Sequence, residues 1–266
     1  MKGRTVRIAR FATAGGDVSF GVVEGPGDDL ADLVVTPIDG HPFAPFSLAG
    51  EPLPLAQVRL LAPVLPSKVV CIGKNYADHV AEMGGAAPAD PVVFLKPSTS
   101  VIGPGDSIVL PRNSERVDHE AELAIVVGRL CREVPRERAF DVVLGYTCGN
   151  DVTARDHQAA DGQWTRGKSH DTFCPLGPWI ETELDASAVA VQARVDGQLR
   201  QDGSTKLLIH DIPAIIEWVT AFMTLIPGDV ILTGTPAGVG PLVADESVTV
   251  TVGGVGTLTN PVVAPR

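Results

Sequence analysis

The stretch DHEAELAIVVG, residues 118–128, sets two glutamates two positions apart at the mouth of an apolar run. Successive strand residues point to opposite faces, so Glu120 and Glu122 share one face, roughly 6.5 Å apart along the chain. Two neighbouring anions repel each other. The pair is stable when a cation sits between them or when both face water. A solvated edge strand meets the second condition, and a bare Glu-x-Glu usually means that, because buried charges are rare. The downstream segment GYTCGNDVTARDHQ shifts the balance. A strand-like run from Val142 ends at Asn150–Asp151, where a helix-like stretch begins, so Asp151 is either a helix cap or a third carboxylate at a strand end. Three carboxylates from two strands make an all-oxygen site, which suits a hard ion such as Mg²⁺, Mn²⁺ or Ca²⁺ rather than zinc or copper.

A second cluster is GKNYADHVAE, residues 73–82, where His79 and Glu82 lie three apart and hence on one face of an expected helix. A histidine charged or oriented by a carboxylate can act as a general base, although such a pair is more often a surface contact. The stretch GQWTRGKS, residues 162–169, matches the phosphate-binding pattern G-x-x-x-x-G-K-S letter for letter. That pattern needs a preceding strand and a long following helix. Here a polar ARDHQAAD precedes it, and Pro175 and Pro178 bar a helix after it. Lys168 then stands as a focused positive charge without a nucleotide role. TGTPAGVG, residues 233–240, is a Gly-rich turn that can present backbone N–H groups to a carboxylate or serve as a plain tight turn.

The elements that must position these groups are short. Val6–Phe11 and Val18–Val23 read as strands, broken by turns at 15–16 and 25–29, and suggest a small N-terminal β appendage. Pro52, Pro54, Pro63 and Pro66 punctuate the connection and place a boundary near residue 65, giving units of 1–65 and 66–266. Strands are expected at Val69–Ile72, Val92–Leu95, Ile108–Leu110, Leu123–Val127, Asp229–Leu232 and Ser247–Val252. Helices are expected at Tyr76–Met83 and Ile212–Met223, the latter with Asp211 as cap and Pro213 in its first turn. The mixture is β-rich α+β, a sandwich, roll or barrel rather than a doubly wound sheet.

A net charge of −11 disfavours nucleic acid and anionic membrane surfaces as partners, and means that an anionic substrate needs a local positive centre. Cys71, Cys131, Cys148 and Cys174 form no C-x-x-C pair and read as buried free thiols. The N-terminus lacks the apolar core of a signal peptide and no run is long enough to span a membrane, so the cytoplasm is the expected location.

GKNYADHVAEM, VVFLKP, DHEAELA, GYTCGNDVTARDHQ, DGQWTRGKSHDTFCPLGPWI and ILTGTPAGVG occur in an order that resembles the fumarylacetoacetate hydrolase superfamily over residues 69–260. The resemblance implies a mixed β-roll core, a homodimer and one Mg²⁺ or Mn²⁺ per chain. It places the metal ligands on Glu120, Glu122 and Asp151 and a lid-borne His–Glu dyad on His79 and Glu82; the Gly, Ala and Pro content of the segment around residues 74–90 independently suggests a lid that closes over the site. Arg155 and Gln158 match polar residues around the substrate, Lys168 an active-site lysine, and Thr235 a contact to the substrate carboxylate. The short N-terminal segment resembles the compact bacterial isomerase, hydrolase and decarboxylase branch.

The expected substrates are small anionic 2-oxo or enol dicarboxylates and acylpyruvates, processed through an enolate. The first choice is a 2-hydroxyhepta-2,4-diene-1,7-dioate isomerase or a related C–C bond hydrolase of aromatic catabolism, and DGQWTR resembles the isomerase-like branch. Oxaloacetate decarboxylase is the rival, and a non-catalytic binding protein on the same fold is the reading of another class. His157 and His170 adjoin matched residues, and their spacing alone gives neither a role.

Overall fold

A computed structural model of the chain describes residues 6–27, 29–84 and 86–265. Residues 1–5 and 266, Asp28 in the turn at 25–29, and Gly85 in the segment expected as a lid lie outside the described residues.

The run AELAIVV forms the strand Ala121–Val127, whose residues are all buried. It pairs antiparallel with Val143–Asn150 on one side and with Val230–Leu232 on the other. A strand buried on both faces reads as a continuous apolar run, not as an alternation. Leu123, Ile125 and Val127 pack into one core with Val191, Val250, Ile215 and Val219. Ala124 and Val126 pack into another with Val69, Cys71, Leu176 and Leu232. Glu120 and Glu122 have the parity of this second face.

From Val230–Leu232 the sheet continues parallel to Lys68–Gly73 and then antiparallel to Val92–Pro97. From Val143–Asn150 it continues to Cys174–Glu181, which pairs with Arg7–Ala12 and so joins the N-terminal strands Val18–Glu24 and Val34–Asp39 to one thirteen-stranded sheet. A five-stranded sheet, built from Ile108–Val109, Gly256–Val263, Ser247–Val252, Ala190–Val195 and Gln198–Ser204, lies over the first core. A small three-stranded sheet joins Thr153–Ala154, Val117–His119 and Gly240–Pro241. The β-rich class expected from the strand spacing is the class observed.

Four α-helices are found among the described residues: α1 (Ala77–Glu82), α2 (Arg155–Ala160), α3 (Thr165–Lys168) and α4 (Ile212–Phe222). Asp211 caps α4 by accepting a hydrogen bond from the Ala214 N–H at 3.0 Å, as its position before Pro213 predicts. The cap reading of Asp151 is corrected: a two-residue strand intervenes, α2 starts at Arg155, and its N-cap is Ala154. Asp151 is thereby freed for other partners. All four cysteines are buried and free. None of the described helices is long and apolar enough to cross a membrane.

Candidate active site

Register brings the three carboxylates together. Ala121 lies opposite Asn150 across the antiparallel ladder, so Asp151 arrives beside Glu120 and Glu122. The junction is tied twice: the Asp151 N–H donates to the Glu120 carbonyl at 2.9 Å, and the Glu120 N–H to Asn150 Oδ1 at 2.9 Å. One oxygen from each of Glu120, Glu122 and Asp151 lies within 4.8 Å of the others. Exposures of 4%, 2% and 1% exclude the solvated-edge reading of the Glu-x-Glu pair.

Cations surround two of the three. Lys168, at the end of α3, donates to Glu120 Oε2 at 2.8 Å and to Asp151 Oδ2 at 2.6 Å. Lys96 donates to Asp151 Oδ1 at 2.5 Å and to the Val152 carbonyl at 3.0 Å. Arg155, the first residue of α2, reaches Asp118 Oδ2 at 2.8 Å, Glu120 Oε1 at 2.5 Å and Gln158 Oε1 at 2.9 Å. Burial works to raise the Glu120 carboxyl, yet Lys168 and Arg155 outweigh it and hold it well below the usual carboxylate range. Burial likewise works against the charge on Lys168, and Asp151 with Glu120 raises it above the ordinary lysine value.

Glu122 differs. Its only hydrogen bond among the described residues comes from the Gly234 backbone N–H at 2.6 Å. Burial pushes its carboxyl well above the usual range, and the charges of Asp151 and Glu120 push it further. Four buried carboxylates, counting Asp118, thus face three buried cations, Lys96, Arg155 and Lys168, and the more exposed Arg116 on Asp118, and Glu122 is the one carboxylate that none of these cations pairs with. An all-oxygen cluster with one carboxylate lacking a cation fits a hard divalent ion and would become net positive on binding it.

His79 and Glu82 stand in the same cavity. On α1, His79 Nδ1 lies 3.2 Å from Glu82 Oε2. A carboxylate accepts, so Nδ1 is the donor of this contact and Nε2 is the ring nitrogen it leaves uncommitted. Glu82 is anchored in turn by the Gly238 N–H, at 3.1 and 3.3 Å from its two oxygens. The Gly-rich turn therefore does present N–H groups to carboxylates, and those carboxylates are Glu122 and Glu82 of the chain itself. Gly238 has φ +97, and a Cβ there would sit 2.1 Å from the Arg200 carbonyl oxygen, so only glycine fits.

The cavity holds about 520 Å³ and is lined by the carboxylate cluster, His79, Glu82, Lys168, Arg155, Gln158 and Thr235. Its apolar wall includes Phe94 and Trp164, edge to face at 5.4 Å, with Lys168 Nζ 5.0 Å from the Phe94 ring centre. Trp164 fits because Gly73 has no side chain: a Cβ there would lie 2.5 Å from the indole. The Thr235 hydroxyl is engaged by the fold, donating to the Ala121 carbonyl at 2.8 Å and accepting from Gln201 Nε2 at 2.7 Å. His157 and His170 lie off the cavity, 3.2 Å from each other, with His157 Nε2 donating to the Asn113 carbonyl. The phosphate-loop look-alike has only the four-residue α3 within it and a strand after it, and its lysine is turned to the carboxylates.

Several residues of this site were not singled out from the sequence. Lys96 had a signal, a lysine inside the apolar strand VVFLKP, and Asp118 heads the segment that carries the glutamates. Gln201 had none. Its Oε1 accepts from His119 Nδ1 at 3.0 Å and from the Ala121 N–H at 2.9 Å, while its Nε2 also donates to the Pro236 carbonyl at 2.7 Å. One amide thus ties the glutamate strand to the Gly-rich turn.

Residues 68–263 match the family described as fumarylacetoacetate (FAA) hydrolase, C-terminal, and residues 6–63 match one described as Rv2993c-like, N-terminal. Among curated proteins, Protein Rv2993c of Mycobacterium tuberculosis is 56% identical over 97% of this chain and 98% of its own length. The rat mitochondrial oxaloacetate tautomerase Fahd2a is 44% identical over 71% of this chain and 62% of its own. Among solved structures, 2-hydroxyhepta-2,4-diene-1,7-dioate isomerase from Mycobacterium marinum superposes with a TM-score of 0.91 at 52% identity, covering 97% of this chain and 98% of that one. Maleylpyruvate hydrolase from Sphingobium sp. SYK-6, in complex with manganese(II) and pyruvate, has a TM-score of 0.79 at 35% identity, covering 98% and 100%. A family match over residues 68–263, joined to these identities, establishes that the chain belongs to the fumarylacetoacetate hydrolase family.

Proposed function

We propose that this chain is a divalent-metal-dependent enzyme acting on small 2-oxo or enol dicarboxylates or acylpyruvates. Its reaction is isomerisation of 2-hydroxyhepta-2,4-diene-1,7-dioate or a related C–C bond hydrolysis in aromatic catabolism, carried out by a cytoplasmic homodimer. The observation that carries the reading is one cavity holding both a buried three-carboxylate cluster and the His79–Glu82 pair. The isomerase name of the Mycobacterium marinum neighbour and the manganese and pyruvate of the maleylpyruvate hydrolase support it.

Glu120, Glu122 and Asp151 would hold Mg²⁺ or Mn²⁺, which when bound polarises a substrate carbonyl and stabilises developing enolate charge. The remaining work belongs to side chains. His79 Nε2 takes a proton at one end of a conjugated system and returns it at the other, and Glu82 steadies the imidazolium formed between the two transfers. In a hydrolytic reaction the same nitrogen takes the proton of a water attacking the far carbonyl. Arg155, Gln158 and Lys168 orient the anionic substrate, with Thr235 on the same wall. Phe94, Trp164 and Met83 exclude water from the reacting atoms.

A second reading, action on oxaloacetate, is favoured by the tautomerase name of the rat relative, since keto–enol exchange needs only the same proton transfer. Turnover by EDTA-stripped protein, with and without Mn²⁺, is to be measured on the seven-carbon diene dioate, an acylpyruvate and oxaloacetate. Metal-dependent turnover of the first or second supports the main reading, and turnover of oxaloacetate alone selects the rival. No turnover of any would replace both with a binding protein on this fold.

A further inference from the structure

Four cations line the cavity: Lys74, Arg116, Arg155 and Lys168. Three are committed to carboxylates. Arg155 and Lys168 hold the buried cluster, and Arg116 grips Asp118 with two hydrogen bonds, at 2.9 and 3.1 Å. Lys74, partly buried, makes no ion pair or hydrogen bond through its side chain among the described residues. In a chain of net charge −11, an uncommitted ammonium on a cavity wall is a local anion-binding element.

The backbone gives a second, independent observation. Lys74 sits at φ +57, the left-handed region that a glycine adopts freely and a lysine does not. It is held there by its neighbour. Asn75 Nδ2 donates to the carbonyls of His210 at 3.0 Å and Thr233 at 2.8 Å, and Asn75 Oδ1 accepts from the His210 N–H at 2.8 Å. The Ile209 N–H donates to the Asn75 carbonyl at 2.8 Å. Four hydrogen bonds thus lock the turn between the strand Lys68–Gly73 and α1, and fix where the Lys74 side chain leaves the backbone. A strained residue at a cavity wall, over-determined by its surroundings, points to a side chain with a task.

We infer that Lys74 binds the far carboxylate of the substrate and makes the site selective for dicarboxylates over 2-oxo acids with an apolar tail. The inference rests on the proposed function and narrows it to the diacid class. Lys74, the cavity cation that no carboxylate of the chain holds, is the binding residue for the substrate carboxylate that Arg155 and Lys168 do not take. Arg155 and Lys168, already bound to the carboxylate cluster, serve the near end.

The test uses the full chain with Mn²⁺ supplied, and calorimetric titration with 2-oxoheptanedioate and 2-oxoheptanoate, which differ only in the far carboxylate. Native protein is expected to bind the diacid about tenfold more tightly, the ratio of one partly exposed charge-assisted contact. Lys74→Met and Lys74→Gly should each remove that preference by weakening the diacid alone, and Lys74→Arg should keep part of it. Lys74→Gly should melt close to the native temperature, because relief of the left-handed backbone offsets the extra chain entropy of glycine, which separates lost recognition from lost folding. A preference that survives Lys74→Met, or equal weakening of both ligands, overturns the inference. Native protein that prefers the diacid but turns over none of the three substrates overturns the proposed function and leaves Lys74 assigned. Turnover of the diene dioate with KM unchanged in Lys74→Met does the reverse, and failure of the native protein to bind either acid overturns both.

Discussion

Replacing Glu122 with Gln should move stability in opposite directions with and without metal. In the metal-free protein, Glu122 lies within 4.8 Å of two other buried carboxylates and has one backbone N–H for compensation. Two unit charges at that separation repel by about 3.5 kcal/mol at an effective dielectric near 20. Lys96, Lys168 and Arg155 offset much of this through Asp151 and Glu120, which leaves a relief of ~2 kcal/mol when Glu122 is neutralised. Gln keeps an oxygen to accept the Gly234 N–H. At about 2–4 °C per kcal/mol for a chain of this size, metal-free Glu122→Gln should melt roughly 4–8 °C above the metal-free native protein. With Mn²⁺ at a hundred times its Kd, the native protein gains about 2.7 kcal/mol by linkage. A variant with hundredfold weaker affinity gains only about 0.4 kcal/mol. The order of the two melting curves should therefore narrow or invert on adding Mn²⁺, while metal-dependent turnover is lost in the variant.

The sign with pH follows from the raised carboxyl of Glu122. A group whose pKa is higher folded than unfolded contributes its stability below the unfolded value, about 4.3 for glutamate, and loses it as pH rises through the folded value. The advantage of the variant in EDTA should accordingly grow as pH rises above about 4.3. Scanning fluorimetry in EDTA and in Mn²⁺ across that range is the assay. A metal-free variant less stable than native that still gains the native increment from Mn²⁺ would refute the electrostatic reasoning and the ligand assignment together.

Three further outcomes are expected. His79→Ala should lower turnover by roughly 10²–10⁴-fold while leaving Mn²⁺ binding intact, since the imidazole supplies proton transfer and no ligand of the cluster; calorimetry beside kinetics reads both. Gly73→Ala should displace Trp164, because the new methyl group would sit 2.5 Å from the ring, and should raise KM together with a shift in tryptophan emission. Gln201→Ala leaves His119 Nδ1, the Ala121 N–H and the Pro236 carbonyl without their buried partner and should cost about 2–4 kcal/mol in urea unfolding, with a larger loss of activity than of fold.

Local spacing determined a good deal of this protein. The alternation that puts Glu120 and Glu122 on one face, the three-residue step from His79 to Glu82, and the Asp211–Pro213 start of α4 all depend on residues within a turn or two of each other. Strand and helix periodicity act over that range, so these features could be read without any fold. The prolines after Lys168 likewise rule out a phosphate-binding helix from the sequence alone, and a strand follows there.

Long-range register decided the rest. Asp151 could have capped a helix or joined the glutamates, and the pairing of Ala121 with Asn150, together with the short strand Thr153–Ala154, made it the latter. Whether the Glu-x-Glu pair faced water depended on burial by strands far away in the chain. The Gly-rich turn could have served a ligand, and its placement beside the glutamate strand and α1 gave its N–H groups to Glu122 and Glu82. Gln201 and Asn75 carry no local mark of their roles, because the groups they hold lie from 34 to 158 residues away along the chain. A short-range pattern states what a side chain could do; which partner it meets is set by contacts that exist only once the sheets have formed.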